Sequence, residues 1–165
     1  MYTTNLSSPV GKLLLASDGK ALTGLWLENQ AHFAAGLNGD VREQAGLPVF
    51  LETKMWLDAY FEKAPLPALP PLAPQGSIFR QAVWRLLLEI PYGKTTTYGD
   101  LARRLRENGV SAAPQAVGGA VGHNPISILI PCHRVLGADG GLTGYTRGVE
   151  TKRFLLELED AIIAK

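Results

Sequence analysis

Cys132 is the sole cysteine of the 165 residues, and His133 and Arg134 follow it at once. A lone cysteine after an apolar stretch is, by base rate, a small buried hydrophobe. The neighbours here point to chemistry instead. The thiolate is the reactive form of cysteine, and an adjacent cationic or basic group favours it. An unperturbed thiol titrates near ~8.5, so it needs activation at neutral pH. His133 could act as general base, directly or through one water. A carboxylate orienting the imidazole would complete a relay. Glu150, Glu157 and Glu159 are all candidates, and spacing does not choose among them. Asn124 precedes Pro125, which puts it in a turn where its amide could cap the turn or hydrogen-bond the site. Tyr145 lies beyond a glycine turn at Asp139-Gly140-Gly141 and reads as core or as a pocket wall. Gly118 and Gly119 allow close approach of a ligand.

Composition narrows the classes. One thiol excludes an internal disulfide and every multi-cysteine zinc site. Hydrophobic residues make up 46% and charged residues 19%, enough for a real core. Apolar runs such as Leu13–Leu15 and Leu86–Leu88 fall far short of the ~18 residues of a membrane span. The first residues, MYTTNLSSPVGK, lack the pattern of a secretory signal, so a cytoplasmic protein with no membrane partner is expected. The net charge is +1, but residues 1–75 carry 5 basic and 7 acidic side chains and residues 76–165 carry 11 and 8. A polyanion, if bound, should bind the second half.

The elements that must position these residues fall on two sides of a proline-rich stretch. Five of the 11 prolines lie between Pro65 and Pro74. Proline fixes φ and removes donors, so residues 65–75 read as an extended linker between domains 1–64 and 76–165. In the first domain, Leu13–Ala16 and Leu22–Leu27 read as a hairpin about Ser17–Lys20, and Pro48–Lys63 as an amphipathic helix. In the second, Ile78–Ile90 reads as a helix capped by Ser77, and Thr97-Tyr98-Gly99-Asp100 as a capping box with Asp in place of Glu. A short helix through Leu101, Ala102 and Leu105 follows. Ser111 is expected to cap a second, from Ala112 to about Val121. Together they outline a helix-turn-helix. The second helix is rich in Gly and Ala, and composition alone favours tight packing against another helix. Ile126–Ile130 reads as a buried strand. Val149–Ala164 reads as a closing helix with Phe154, Leu155, Leu158 and Ile162 on its core face.

Ile128-Leu129-Ile130-Pro131-Cys132-His133-Arg134-Val135 resembles the signature of the O6-alkylguanine-DNA alkyltransferases, also called methylated-DNA–protein-cysteine methyltransferases. The resemblance runs over Gly76–Glu159, through Pro91-Tyr92-Gly93, Thr97-Tyr98, Ala116-Val117-Gly118-Gly119-Ala120, Asn124-Pro125 and Gly144-Tyr145. It implies an α+β protein: a small ribonuclease-H-like N-terminal scaffold and a winged-helix-like C-terminal domain for DNA binding and catalysis. It implies DNA repair in which Cys132 takes the alkyl group from O6 of guanine in double-stranded DNA, with O4-alkylthymine an open second substrate. The thioether is stable, so each molecule acts once. Nothing in the sequence would regenerate the thiol. By the same resemblance His133 relays a proton between the thiol and Glu159 through a water, Asn124 holds the active-site turn, and Tyr98 donates a proton toward the leaving guanine. Tyr145 and Thr146 would line the pocket. Gln115, Ala116, Gly118 and Gly119 would meet DNA, and Arg134, Val135, Arg147 and Lys152 join the DNA- or substrate-binding set. No cofactor and no metal are implied, and a monomer is expected, with clustering along DNA left open.

Guanine O6 lies inside the stacked duplex, so the base must be rotated out, at a few kcal/mol. In this family the second helix enters the minor groove, which is only ~6 Å wide, and a small-residue face then has a reason. Two positions depart from the family pattern. Gln115 stands where an arginine usually fills the gap left by the base; it is shorter and uncharged. Arg147 replaces a small residue and would narrow the pocket for bulky adducts. Some members carry a structural zinc in the N-terminal domain, which one cysteine cannot build. Two other readings compete: a non-catalytic sensor of alkylated DNA, and a thiol hydrolase built on Cys132, His133 and Glu159.

Overall fold

The computed structural model describes residues 1–28, 30–37, 39–137 and 148–161. The chain forms two compact units, Met1–Gln75 with Pro125–Ser127, and Gly76–Asn124 with Ile128–Lys165.

Unit 1 is a four-stranded sheet with one long helix. Strands β1 (Tyr2–Ser8), β2 (Gly11–Ser17), β3 (Leu22–Leu27) and β4 (Arg42–Glu43) lie in the order β3-β2-β1-β4. β1 and β3 each pair antiparallel with β2, and β4 pairs parallel with β1. The expected hairpin is therefore the β2–β3 pair. β1 is not evident from the sequence because its Thr, Asn and Ser residues give almost no apolar alternation. Helix α1 (Pro48–Phe61) packs on β2. It buries Val49, Phe50, Trp56, Leu57 and Tyr60, with Trp56 and Tyr60 stacked at 5.2 Å. The ring of Trp26 lies over Gly24, where a Cβ would come within 2.1 Å of it.

Residues 65–75 are extended, as proline requires, but they lie with unit 1 instead of standing apart as a linker. Leu22 N–H donates to the Pro71 carbonyl at 2.8 Å, and Ala73 N–H donates to the Leu22 carbonyl at 2.8 Å, tying Leu72 to the edge of β3. Further along that edge Ile126 forms a second isolated bridge, to Leu25. This bridge is all that exists of the strand expected over Ile126–Ile130. Residues 127–129 turn instead, because Ile128 takes a left-handed φ of 73°.

Unit 2 is mainly helical. Ser77 caps α2 (Ile78–Leu88) by accepting from Arg80 N–H at 3.1 Å. β5 (Thr96–Thr97) leads into α3 (Tyr98–Glu107), whose cap Thr97 accepts from Asp100 N–H. α4 (Pro114–Gly122) starts two residues later than expected. Ala113 is its N-cap and Pro114 its first residue, a position where the missing N–H costs nothing. α2, α3 and α4 pack on one another through Val83, Trp84, Leu87, Leu101, Leu105, Val117 and Val121. The indole N–H of Trp84 donates to the Ala120 carbonyl at 2.8 Å. β6 (Val135–Leu136) pairs parallel with β5, so the start of the helix-turn-helix and the residues after Cys132 are stitched together. The last helix, α5 (Val149–Leu158), buries Lys152, Leu155 and Leu156 and leaves Phe154 exposed. Of the expected core face, Leu155 is buried, Leu158 is half-buried and Phe154 is exposed, the charged Lys152 taking a place in the buried stripe; Ile162 lies outside the described residues. Among the described residues no helix is long and apolar enough to cross a membrane.

Candidate active site

Cys132–Arg134 form a single 3-10 turn immediately after Pro131. Short backbone bonds tighten it: Cys132 N–H to the Ile130 carbonyl at 2.8 Å and Arg134 N–H to the Pro131 carbonyl at 3.0 Å. Asn124 braces the turn from inside, its amide donating to the Ile130 carbonyl at 2.8 Å. Cys132 is 2% exposed, and the side chains of His133 and Arg134 both reach Glu159 at the end of α5.

Glu159 is the hub. Its Oε2 lies 2.6 Å from His133 Nε2. Arg134 grips both carboxylate oxygens, Nε to Oε1 at 2.8 Å and Nη2 to Oε2 at 3.1 Å, while Nη1 donates to the Ile90 carbonyl at 2.7 Å. Gly93 N–H adds a further bond to Oε1 at 3.0 Å. Gly93 has φ of 78°, and a Cβ there would sit 3.1 Å from the Glu159 carbonyl oxygen, so this donor position demands glycine. The Arg134 guanidinium lies 5.8 Å over the Tyr92 ring. Of the three glutamates left open by spacing, Glu150 and Glu157 are exposed and Glu159 is buried.

The electrostatics follow from burial. Burial alone would raise the Glu159 carboxyl, but hydrogen bonds from His133 and Arg134 outweigh it and hold it down at about 2. Burial lowers His133 against the pull of Glu159, so the imidazole is neutral at rest. Its Nε2–H then donates to the carboxylate, which leaves the buried Nδ1 as the basic nitrogen. Burial pushes the Cys132 thiol up to about 11, although hydrogen bonding from Asn124 and the charge of Lys152 pull the other way. Arg134, engaged with Glu159, is not among the groups that lower the thiol; Asn124 and Lys152 only partly offset its burial. Lys152 is a fully buried lysine on α5 whose Nζ lies 6.0 Å from the centre of the Tyr98 ring. Burial lowers Lys152 to about 8, and burial, then the charge of Cys132, raises Tyr98 to about 12.

The structure thus places Asn124, Lys152 and Tyr98 within electrostatic reach of the Cys132 thiol, and it pairs the next residue, His133, with Glu159. Arg134 and Val135, assigned from the sequence to DNA or substrate, are buried, and Arg134 binds Glu159. Gln115, Ala116 and Gly119 are exposed on α4, and Gly118 is half-buried. Among the described residues, a Cβ on Gly119 or Gly122 would meet nothing within 4 Å, and one on Gly118 would touch only Tyr98, at 4.0 Å. Tight helix packing is therefore not what the glycines serve; their face is open. Tyr145, Thr146, Arg147 and the turn at 139–141 lie outside the described residues. Tyr92, Gly93 and the Ile90 carbonyl are site groups that sequence reasoning misses. Pro91-Tyr92-Gly93 reads in sequence as a helix stop, and its donor is a backbone N–H that no side-chain type announces. Among the described residues no group of three or more His, Cys, Asp or Glu side chains is placed to hold a metal ion.

A ribonuclease-like sheet unit, together with a helix-turn-helix unit that carries a buried thiol and a His–Glu–Arg network, defines a class of two-domain DNA-binding proteins with a cysteine centre. Residues 1–74 match the 6-O-methylguanine DNA methyltransferase ribonuclease-like domain, and residues 78–161 match the DNA binding domain of the same name. The chain belongs to the 6-O-methylguanine DNA methyltransferase family. A methylated-DNA–protein-cysteine methyltransferase of Haemophilus influenzae is 46% identical over 160 residues, covering 96% of this chain and 86% of that one. Another, of Methanosarcina mazei, is 42% identical, covering 97% and 98%. A crystal structure of Mycobacterium tuberculosis OGT in complex with DNA superposes with a TM-score of 0.86 at 41% identity, covering 97% of this chain and 93% of that one.

Proposed function

We propose that the protein repairs alkylated duplex DNA by moving the alkyl group from O6 of guanine to the sulfur of Cys132 and keeping it. The observation that carries this reading is the buried pair made by the residue next to Cys132: His133 Nε2 and Glu159 Oε2 lie 2.6 Å apart. A merely structural cysteine needs no base at its side.

At rest the sulfur is protonated, so the proton must leave as the sulfur attacks the alkyl carbon. Nδ1 of His133 takes it through one water, and Glu159, ionised at every physiological pH, steadies the imidazolium. One S–C bond forms and one C–O6 bond breaks. Tyr98 stays a phenol to high pH and can give its proton to the departing guanine. The proton held on His133 then makes good the one Tyr98 has lost. The ammonium of Lys152 faces both the sulfur and the phenol and stabilises negative charge as it forms. Arg134 acts through Glu159, which it keeps charged and in place. The thioether has no leaving group to match, so the protein is consumed.

A stacked base cannot reach a thiol that is 2% exposed, so the target nucleotide must be extruded. The open face of α4, with Ala116, Gly118 and Gly119, suits insertion into a narrow groove, and Gln115 stands at its start to occupy the vacated space. The protein would do this as a monomer in the cytoplasm, without metal or cofactor. The test is stoichiometry. Repaired guanine plotted against protein should plateau at one equivalent. Continued product formation would indicate a hydrolase, and binding without any product a sensor.

A further inference from the structure

The loop that carries the nucleophile begins outside the unit that carries the relay. α4 ends at Gly122, the chain turns at Asn124, and its next three residues, Pro125–Ser127, belong to unit 1. There they lie along β3. Leu25 N–H donates to the Pro125 carbonyl at 2.8 Å, and Ser127 N–H donates to the Leu25 carbonyl at 2.9 Å. A side-chain lock completes the attachment. The Ser127 hydroxyl donates to Gln30 Oε1 at 3.2 Å, and the same oxygen accepts the Leu27 N–H at 2.7 Å. Gln30 is 5% exposed and Ser127 0%, so this amide oxygen serves two buried donors, one on β3 and one on the incoming loop. Both would be costly to leave unpaired.

The residue after Ser127 explains the need for a lock there. Ile128 is β-branched, fully buried and held at φ 73°, a conformation such residues avoid. A strained residue persists only where its surroundings over-determine it. Downstream, the loop is held by Asn124 on the Ile130 carbonyl, by the His133 and Arg134 bonds to Glu159, and by the pairing of β6 with β5. Upstream, it is held by Pro125–Ser127. In-line displacement needs the sulfur close to the alkyl carbon and aligned with the C–O bond, and a misplacement of ~1 Å can cost ~100-fold.

We infer that Gln30 is a positioning residue for alkyl transfer: by holding Ser127 it fixes the upstream end of the Cys132 loop and sets where the sulfur stands. This role rests on the reading of Cys132 as alkyl acceptor.

The experiment compares wild type, Ser127→Ala, Gln30→Ala and Thr53→Ala as full chains. Thr53 is the control: it too is a buried hydroxyl of unit 1, bonded to the Val49 carbonyl at 2.7 Å, but it lies on α1. Duplex affinity, thermal midpoint and the first-order rate of methyl transfer within the bound complex are measured separately. Ser127→Ala should slow transfer about tenfold while duplex affinity stays within about twofold, and Gln30→Ala should slow it at least as much. Thr53→Ala should transfer at the wild-type rate. A folded Ser127→Ala that transfers at the wild-type rate overturns the proposal, and so does a Thr53→Ala that is slowed equally. If wild type itself leaves Cys132 unmodified, the reading of the site fails first, and the proposal with it.

Discussion

α4 and α5 are of nearly equal length, nine and ten residues, and they present opposite faces to water. α4 buries Val117, Ala120 and Val121 and turns a surface of small side chains and Gln115 outward. α5 buries Lys152 and sets Glu159, seven residues on, at its buried end, with Leu155 and Leu156 between them. Recognition needs a surface from which side chains have been removed. Proton chemistry needs charges removed from water, where each interaction is stronger. One helix gives up helix propensity for the first purpose, and the other accepts a desolvation cost for the second.

The largest effect should come from breaking the buried end of α5. Glu159→Ala strands Arg134 and removes the orienter of His133. We expect a loss of about 3–5 kcal/mol of stability and a fall in transfer rate of about a thousandfold, read by thermal melting and by single-turnover repair. The acid limb of stability belongs to the same group. The folded Glu159 carboxyl sits at about 2, below its ordinary value of 4.5, so its contribution is complete above pH 4.5 and drains away as pH falls toward 2. That contribution is on the order of 3 kcal/mol, and a Glu159→Gln chain should lack this part of the acid profile.

Lys152→Met should come next, slowing transfer roughly a hundredfold while preserving the fold. Its signature is the pH profile. The groups facing it are Cys132, Tyr98 and His133; His133, lowered from its ordinary 6.5, has already lost its proton at neutral pH, and of the other two only the thiol would favour the reaction by losing its proton as pH rises further. The lysine is lowered to about 8, so wild-type transfer should fall as pH rises through 8, well before the thiol titrates near 11. The Met variant should show no such fall.

On α4 the effects should be smaller and confined to DNA. Among the described residues, a Cβ at Gly118 finds only Tyr98 nearby, at 4.0 Å. Gly118→Leu should leave the melting temperature unchanged or slightly raised, since glycine costs roughly 1 kcal/mol in a helix. Duplex affinity should drop about tenfold, which is ~1.4 kcal/mol. Unchanged affinity would show that this face does not meet DNA. Gln115→Arg should give the smallest change, a gain of roughly threefold in repair of duplex but not of single-stranded substrate.

The same contrast explains what is legible in the sequence. The existence of α4 can be read from its own apolar spacing, but not its start, which Pro114 sets two residues past the expected one, nor the open face that its Gly and Ala residues serve. The signature around Cys132 names the nucleophile and its base. α5 misleads in part, since an apolar pattern search places Leu155 correctly but puts Phe154 inward and cannot foresee a buried lysine. Glu159 is indistinguishable from Glu150 and Glu157 by spacing, because its distinction is a partner set drawn from two distant segments, Gly93 and His133–Arg134. Ile126–Ile130 looks like a strand because its five residues include four apolar ones. Only a backbone dihedral at Ile128 reveals the turn that delivers the thiol.

The central claim is that one sulfur receives the alkyl group and retains it. The direct measurement is the mass of the Cys132 peptide after the protein is mixed with an equimolar duplex bearing O6-methylguanine. The account predicts that this peptide, and no other, carries one methyl group in place of the thiol hydrogen, in step with the guanine restored. An unmodified peptide alongside restored guanine would contradict it.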